Sequence, residues 1–239
     1  ERYWSELYDF DGQLLMEVPS SYVNISGGLC SVYDMNNNAY CVFRLSDGIT
    51  VCENAADVWL LGDTVVSKAP DWQSPATVFD ADGNVLWQQE ADQYVNSYFH
   101  DQDRYYLCVT GRDGLYKLTD CKGQSLLPGA YKEISQVRQG RAVVRDEESW
   151  AAVDLSSGET VFRWPYPIND LLTNSAIVQT TEDYGSHILV DLEGQPLSDH
   201  TFNWVNPLDD DHDNIPDLLR GDIEKEAGSQ ETALLLPDG

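Results

Sequence analysis

An all-β fold assembled from a repeated unit is what this 239-residue sequence predicts, and three observations predict it. A strand-like run ending in a polar turn recurs at Gly12, Gly48, Gly83, Gly123, Gly158, Gly194 and Gly239, at intervals of 36, 35, 40, 35, 36 and 45 residues. Between those glycines the apolar residues alternate with period two rather than 3.6. No apolar stripe is long enough for a core helix. Each glycine can take the positive φ that a tight hairpin turn requires, and an Asp or Ser just before it favours the turn locally. Spacing this regular marks a repeat protein.

Taken in order, the units read alike. "LCSVYDMNNNAYCVFRLSDGITV" is strand, Asn-rich turn, strand, turn, strand. "RAVVRDEESWAAVDLSSGETVF" and "SAIVQTTEDYGSHILVDLEGQPL" keep that order. Three to four short strands per interval match the blades of a β-propeller. The expectation is therefore a single domain, 1–239, forming a six-bladed propeller of three to four antiparallel strands per blade. Its units are 13–48, 49–83, 84–123, 124–158, 159–194 and 195–239, with 1–12 as an extra strand that closes the ring against the last unit. Closure leaves no free sheet edge. The alternative is an open curved array of the same units.

Composition bounds the function. Forty-one acids against fourteen Lys and Arg give a formal net charge of −27, a field that repels phosphate backbones and anionic lipid. Nucleic-acid and membrane-surface roles are thereby disfavoured. No apolar run reaches the roughly 20 residues that span a bilayer, so the residues are not membrane-embedded helices. The chain opens on "ERYWSELYDFDG", already strand-like, and any targeting segment is expected to have been removed or to lie outside this sequence. Cys30, Cys41, Cys52, Cys108 and Cys121 form no C-x-x-C pair and read as buried free thiols, with Cys41 and Cys52 flanking one turn.

Residues 124–162 resemble the bacterial WG-type β-repeat. Tyr131, Glu133 and Ile134 fit its first part, Gly140, Ala142 and Val144 its second, and Trp150, Val153, Asp154 and Gly158 its third. Ala151 stands where that family has the glycine of its name. "ATVFDADGNVLW" (76–87) looks like a strand pair of the quinoprotein-like propellers. Both likenesses imply scaffold and say nothing of activity. The WG-type likeness also implies a bacterial source.

The longest unit holds "LDDDHDNIPDLLRG" (208–221). With Asp209 at position one, oxygen ligands fall at Asp209, Asp211 and Asp213, the Ile215 carbonyl, and Asp217. Calcium takes six to eight oxygens, and alternating carboxylates on a wound loop aim them at one centre. Arg220 at position twelve, where an EF-hand needs a bidentate Glu, excludes that motif. The run resembles instead the FG-GAP calcium loop of integrin-type propellers, matching at Asp209, Asp211, Asp213, Asp217, Leu218 and Leu219, with Asn214 in place of the glycine. That family implies a structural Ca2+ in a loop joining two strands of a blade.

No catalytic motif is legible. His100, His187, His200 and His212 are far apart, and no Ser or Cys sits in a G-x-S-x-G elbow. Trp87 and Trp150 sit at repeat positions and read as packing between units. Trp4, Trp72, Trp164 and Trp204 fall near unit boundaries or in loops such as "FRWPYP", where aromatic rings stack on sugars or anchor a partner. "RGD" (220–222) runs out of the candidate calcium loop into a strand. The function expected is a non-catalytic recognition module binding a protein or carbohydrate, exported or attached to a bacterial surface and stabilised by calcium. The alternative is a propeller glycosidase or lyase with a carboxylate pair at the central channel.

Overall fold

A computed structural model describes residues 4–8, 11–18, 22–35, 37–69, 75–182, 185–208, 217–224 and 230–237. They form strands and turns with no helix, so no helix is long and apolar enough to cross a membrane. β1 (Ser5–Tyr8) pairs with β2 (Leu14–Val18). Four strands make the next sheet, β3 (Val23–Ser26), β4 (Leu29–Asp34), β5 (Ala39–Arg44) and β6 (Thr50–Ala55). Four more follow, β7 (Asp57–Leu61), β8 (Thr64–Lys68), β9 (Thr77–Asp80) and β10 (Val85–Gln88). A three-stranded sheet holds β11 (Gln93–Asp101), β12 (Arg104–Gly111) and β13 (Tyr116–Asp120). Then come β14 (Glu133–Arg138), β15 (Arg141–Arg145), β16 (Trp150–Asp154) and β17 (Thr160–Trp164). The last sheet runs through β18 (Ile168–Leu171), β19 (Ser175–Gln179), β20 (His187–Asp191), β21 (Phe202–Leu208), β22 (Leu218–Glu224) and β23 (Gln230–Leu235).

In every sheet the strands are hydrogen-bonded in sequence order. This is the all-β architecture that the turn spacing predicts, with three or four strands in the middle sheets but two in the first and six in the last, where β21–β23 extend the meander beyond the expected count. At four repeats the glycine turn lies inside a sheet, between its third and fourth strands: Gly48 joins β5 to β6, Gly83 joins β9 to β10, Gly158 joins β16 to β17 and Gly194 joins β20 to β21. Residues 5–8, expected as a closing strand, have β2 as their partner.

The chain divides into two compact units. The first is Glu1–Asn96 with Val109–Arg112 and Thr119–Gln124; the second is Ser97–Cys108 with Asp113–Leu118 and Ser125–Gly239. In the first unit, Leu7 and Val18 of the β1–β2 hairpin pack on Cys30 and Val32. Leu29, Val42 and Val51 meet Val65, Val58 and Phe79 of the following sheet. In the second unit, Cys108 and Leu118 pack against Ala142, Val144, Ala151 and Val153. The opposite face of that sheet, with Val143, Trp150, Ala152 and Phe162, packs on Ile168, Ala176, Val178 and Val190. Trp150 thus fills the space between two sheets, as its repeat position predicts.

Stacking on both faces explains the sequence of the middle strands. Ala142, Val143 and Val144 are all buried, as are Trp150 to Val153 and Ser175 to Val178, so their alternation is lost.

Two kinds of turn set the geometry. The first and second strands of a sheet meet at a two-residue turn with left-handed backbone, such as Gly27–Gly28 (φ 55° and 78°) and Gln139–Gly140 (φ 49° and 71°). Such turns match the twist of paired strands. Successive turns of this kind touch. A Cβ on Gly27 would fall on the Gly62 carbonyl, and the buried carboxylate of Asp101 accepts the backbone N–H groups of Gln139 (2.8 Å) and Gly140 (2.7 Å).

At the repeat turn an aspartate three or four residues before the glycine does the fixing. Asp80, Asp120 and Asp191 each accept two backbone N–H groups across their own turn at 2.7–3.0 Å. Asp154 accepts the Ser156 hydroxyl and the N–H groups of Ser156 and Ser157, which bring its pKa down to about 2. Part of the acid excess is therefore turn-forming. The Trp87 indole covers Gly123, where no Cβ would fit.

Two outcomes follow from these turns. Gly28→Ala meets nothing and costs only its left-handed backbone, about 1 kcal/mol. Gly27→Ala adds a clash with backbone, a further cost of about 1–3 kcal/mol, so thermal melting separates two adjacent alanines by roughly 2–10 °C. For Asp154 the folded pKa lies below the unfolded carboxylate value, so its stabilisation is present above about pH 4 and is lost as pH falls towards 2. The melting-temperature advantage of the native chain over Asp154→Ala shrinks through that window.

Candidate functional site

The terminal hairpin carries the acidic run singled out in the sequence. β21 and β22 pair from Phe202↔Ile223 to Leu208↔Leu218, and the Asp217 N–H donates to the Leu208 carbonyl at 2.8 Å. The connection from 209 to 217 is thus pinned at both ends by one hydrogen-bonded strand pair. Asp217 is exposed at its base. The other expected ligands, Asp209, Asp211, Asp213 and Ile215, lie outside the described residues.

Below the connection the strands have two unlike faces. Leu219 of β22 is buried with Leu172, Ile177 and Leu189, and Val205 and Leu235 pack beside them. Gly221 lies on that face because an added Cβ would stand 2.6 Å from the fully buried Phe202 ring. The Ser175 hydroxyl donates to the Pro237 carbonyl and ties the end of β23 to β19.

The other face forms three rows by register: Trp204–Asp222–Thr232, Asn206–Arg220–Leu234 and Leu208–Leu218. Leu208, Leu218, Leu234 and the following Leu236 are 40%, 36%, 63% and 57% exposed. The Arg220 guanidinium sits 5.6 Å from the Trp204 ring centroid, and the Thr232 hydroxyl donates to Asp222 at 2.9 Å. Arg220, Gly221 and Asp222 are therefore mid-strand residues with side-chain partners or burial of their own. The tripeptide is not displayed on a loop. Sequence reasoning missed this face; its signal is the set of leucines at alternate positions on strands read only as the exit from a calcium loop.

The remaining candidates resolve as follows. None of the five cysteines is in a disulfide, and Cys30, Cys52 and Cys108 are buried. Burial pushes the thiols of Cys30, Cys52 and Cys121 up to about 11 and raises that of Cys108, so these stay protonated and unreactive near neutral pH. Val42, not Cys41, lies opposite Cys52. Four carboxylates are held below their ordinary pKa. Arg44 lowers Asp47, the Asn84 amide lowers Asp80, Arg163 brings Asp146 to about 2, and Ser156 lowers Asp154.

No protein-family model matches the sequence, and no curated protein matches it significantly. Among solved structures the chain is similar to BamB from Moraxella catarrhalis, at 14% identity over 95% of this chain and 78% of that one, with a TM-score of 0.45. It is similar to Kluyveromyces lactis Hsv2 at 8% identity over 96% and 90%, TM-score 0.47. A third is the dihydro-heme d1 dehydrogenase NirN, at 12% identity over 98% and 62%, TM-score 0.43. All three are β-propeller proteins.

Gly221→Ala is expected to destabilise by about 1–3 kcal/mol through overpacking on Phe202. Asp222→Ala removes one exposed hydrogen bond and stays within about 1 kcal/mol. Thermal melts of the two variants distinguish these costs.

Proposed function

We propose that this chain is a non-catalytic recognition module of propeller type that takes a protein partner on the outer face of β21–β23, with a calcium ion held in the adjoining 209–217 connection. The observation that carries the reading is the four leucines beside a half-buried tryptophan, exposed on a sheet whose other face is packed. Contiguous exposed apolar residues of this kind mark interaction sites. A net charge of −27 favours a partner with a basic rim and disfavours self-association.

The calcium part rests on charge. Five acids, Asp209, Asp210, Asp211, Asp213 and Asp217, share one connection whose ends are held by the Leu208–Leu218 pair. The nearest cation in sequence, Arg220, lies over Trp204. A hard divalent ion offsets such repulsion. Weak sites of this class fill where calcium is millimolar, which supports an exported or surface location.

Two measurements test the reading separately. EDTA-stripped protein given calcium at about 100 times Kd gains about 2.7 kcal/mol, a melting shift of roughly 5–10 °C that magnesium does not reproduce and Asp213→Ala abolishes. An equal shift with magnesium, or none, removes the ion. Peptides selected from a phage-displayed library should lose binding to Leu234→Asp and keep it on Val85→Asp. Peptides indifferent to Leu234 would overturn the docking face.

A further inference from the structure

A second surface, distant in sequence from the terminal hairpin, is built like a site. An open cleft of about 630 Å3 lies at the outer edge of the β14–β17 sheet. The β15–β16 turn supplies Asp146, Glu148 and Ser149, and the end of β17 supplies Arg163, Trp164 and Pro165. Its volume falls in the range of small-ligand sites.

The side chains are fixed before any ligand arrives. Asp146 accepts the backbone N–H groups of Glu148 (2.9 Å) and Ser149 (2.8 Å) on one oxygen and Arg163 on the other. The same Arg163 nitrogen reaches the Ser149 hydroxyl at 2.7 Å. The Arg163 side chain is still 54% exposed, and a guanidinium carries five N–H donors in a rigid fork. Trp164 is pinned too. Its indole N–H donates to the Gln179 carbonyl at 2.7 Å, and its ring lies nearly parallel to Phe162, with centroids 6.1 Å apart.

We propose that this cleft binds a neutral oligosaccharide, with a sugar ring laid on Trp164 and its hydroxyls shared between Arg163 and Glu148. A rigid aromatic wall suits the C–H face of a pyranose, and an exposed planar donor beside an exposed carboxylate suits adjacent hydroxyls. The charges choose the class. Asp146 is already neutralised by Arg163, which leaves Glu148 as the open charge of the cleft. In a chain of net charge −27 that arrangement repels phosphates and uronic acids, while a single open carboxylate offers a basic peptide little. The site stands on different residues from the docking face and the calcium connection, and depends on neither.

Isothermal titration tests it, with xylohexaose, cellohexaose, mannohexaose and chitohexaose as neutral probes, polygalacturonate fragments as the anionic control and octa-arginine as the basic peptide. At least one neutral hexasaccharide should bind, with Trp164→Ala weakening it about tenfold or more and Trp164→Phe less. Trp164 also contributes to packing, so Glu148→Gln and Arg163→Gln, both surface changes, carry the test as well. Each should weaken sugar binding about three- to tenfold, Glu148→Gln without moving the melting temperature and Arg163→Gln, which also gives up the Asp146 ion pair, with a fall of no more than about 4 °C. The proposal is overturned if no neutral sugar binds, if binding ignores Glu148→Gln and Arg163→Gln, or if octa-arginine alone binds.

Discussion

A sheet packed between two others has no solvent face, and this constraint governs the chain. The β14–β17 sheet buries Ala142, Val144, Ala151 and Val153 on one side and Val143, Trp150, Ala152 and Phe162 on the other. Side chains of alternate parity on one strand thus serve two different cores. The middle strands become short continuous apolar runs, and polar residues move to the turns. The turns must then be both tight and soluble, which is why so many aspartates are found there with their carboxylates folded back on backbone N–H groups. Acidity and packing are two sides of one solution. The acid excess is partly a by-product of ending strands cleanly.

The same constraint identifies where function can be sited. Within the second unit, β21–β23 packs one face through Leu219 and Leu235 and presents the other with Leu208, Leu218 and Leu234. Surface that the stack does not consume is left at such a face and at the outer edges, where Trp164 and Arg163 lie. Both candidate sites lie where packing leaves side chains partly exposed, Trp164 among them although it also packs on Phe162.

The period of the fold was legible because glycine is nearly obligatory where φ is positive. Its phase was not, since the glycine turn closes a sheet's third hairpin and the other hairpins carry weaker marks. Gln102 and Gln139 adopt left-handed backbone, and nothing in a glutamine announces this. Asp80, Asp120 and Asp191 stand three residues before their glycines, a spacing hidden by the acids that crowd these turns. The residues that resemble a WG-type repeat have a physical reading. Gly140 is left-handed, Ala142, Val144, Trp150 and Val153 are buried, and Asp154 anchors the turn that Gly158 completes. Such a pattern describes a scaffold, so it told little of the site. Trp164 reads as a boundary aromatic, but Asp146 and Ser149, the partners of its neighbour Arg163, come from a different turn and are brought to it by the β16–β17 register.

Strict pairing of each strand with its neighbours in sequence also has a kinetic meaning. Among the described residues no sheet waits for a segment from the far end of the chain before it can close. Loop-closure entropy is spent in short steps of a few residues, and each finished meander offers a surface on which the next can condense. A chain of this kind can assemble behind the ribosome in the order it is made. An interruption between two meanders leaves the finished ones intact, with a single raw face in place of a broken sheet.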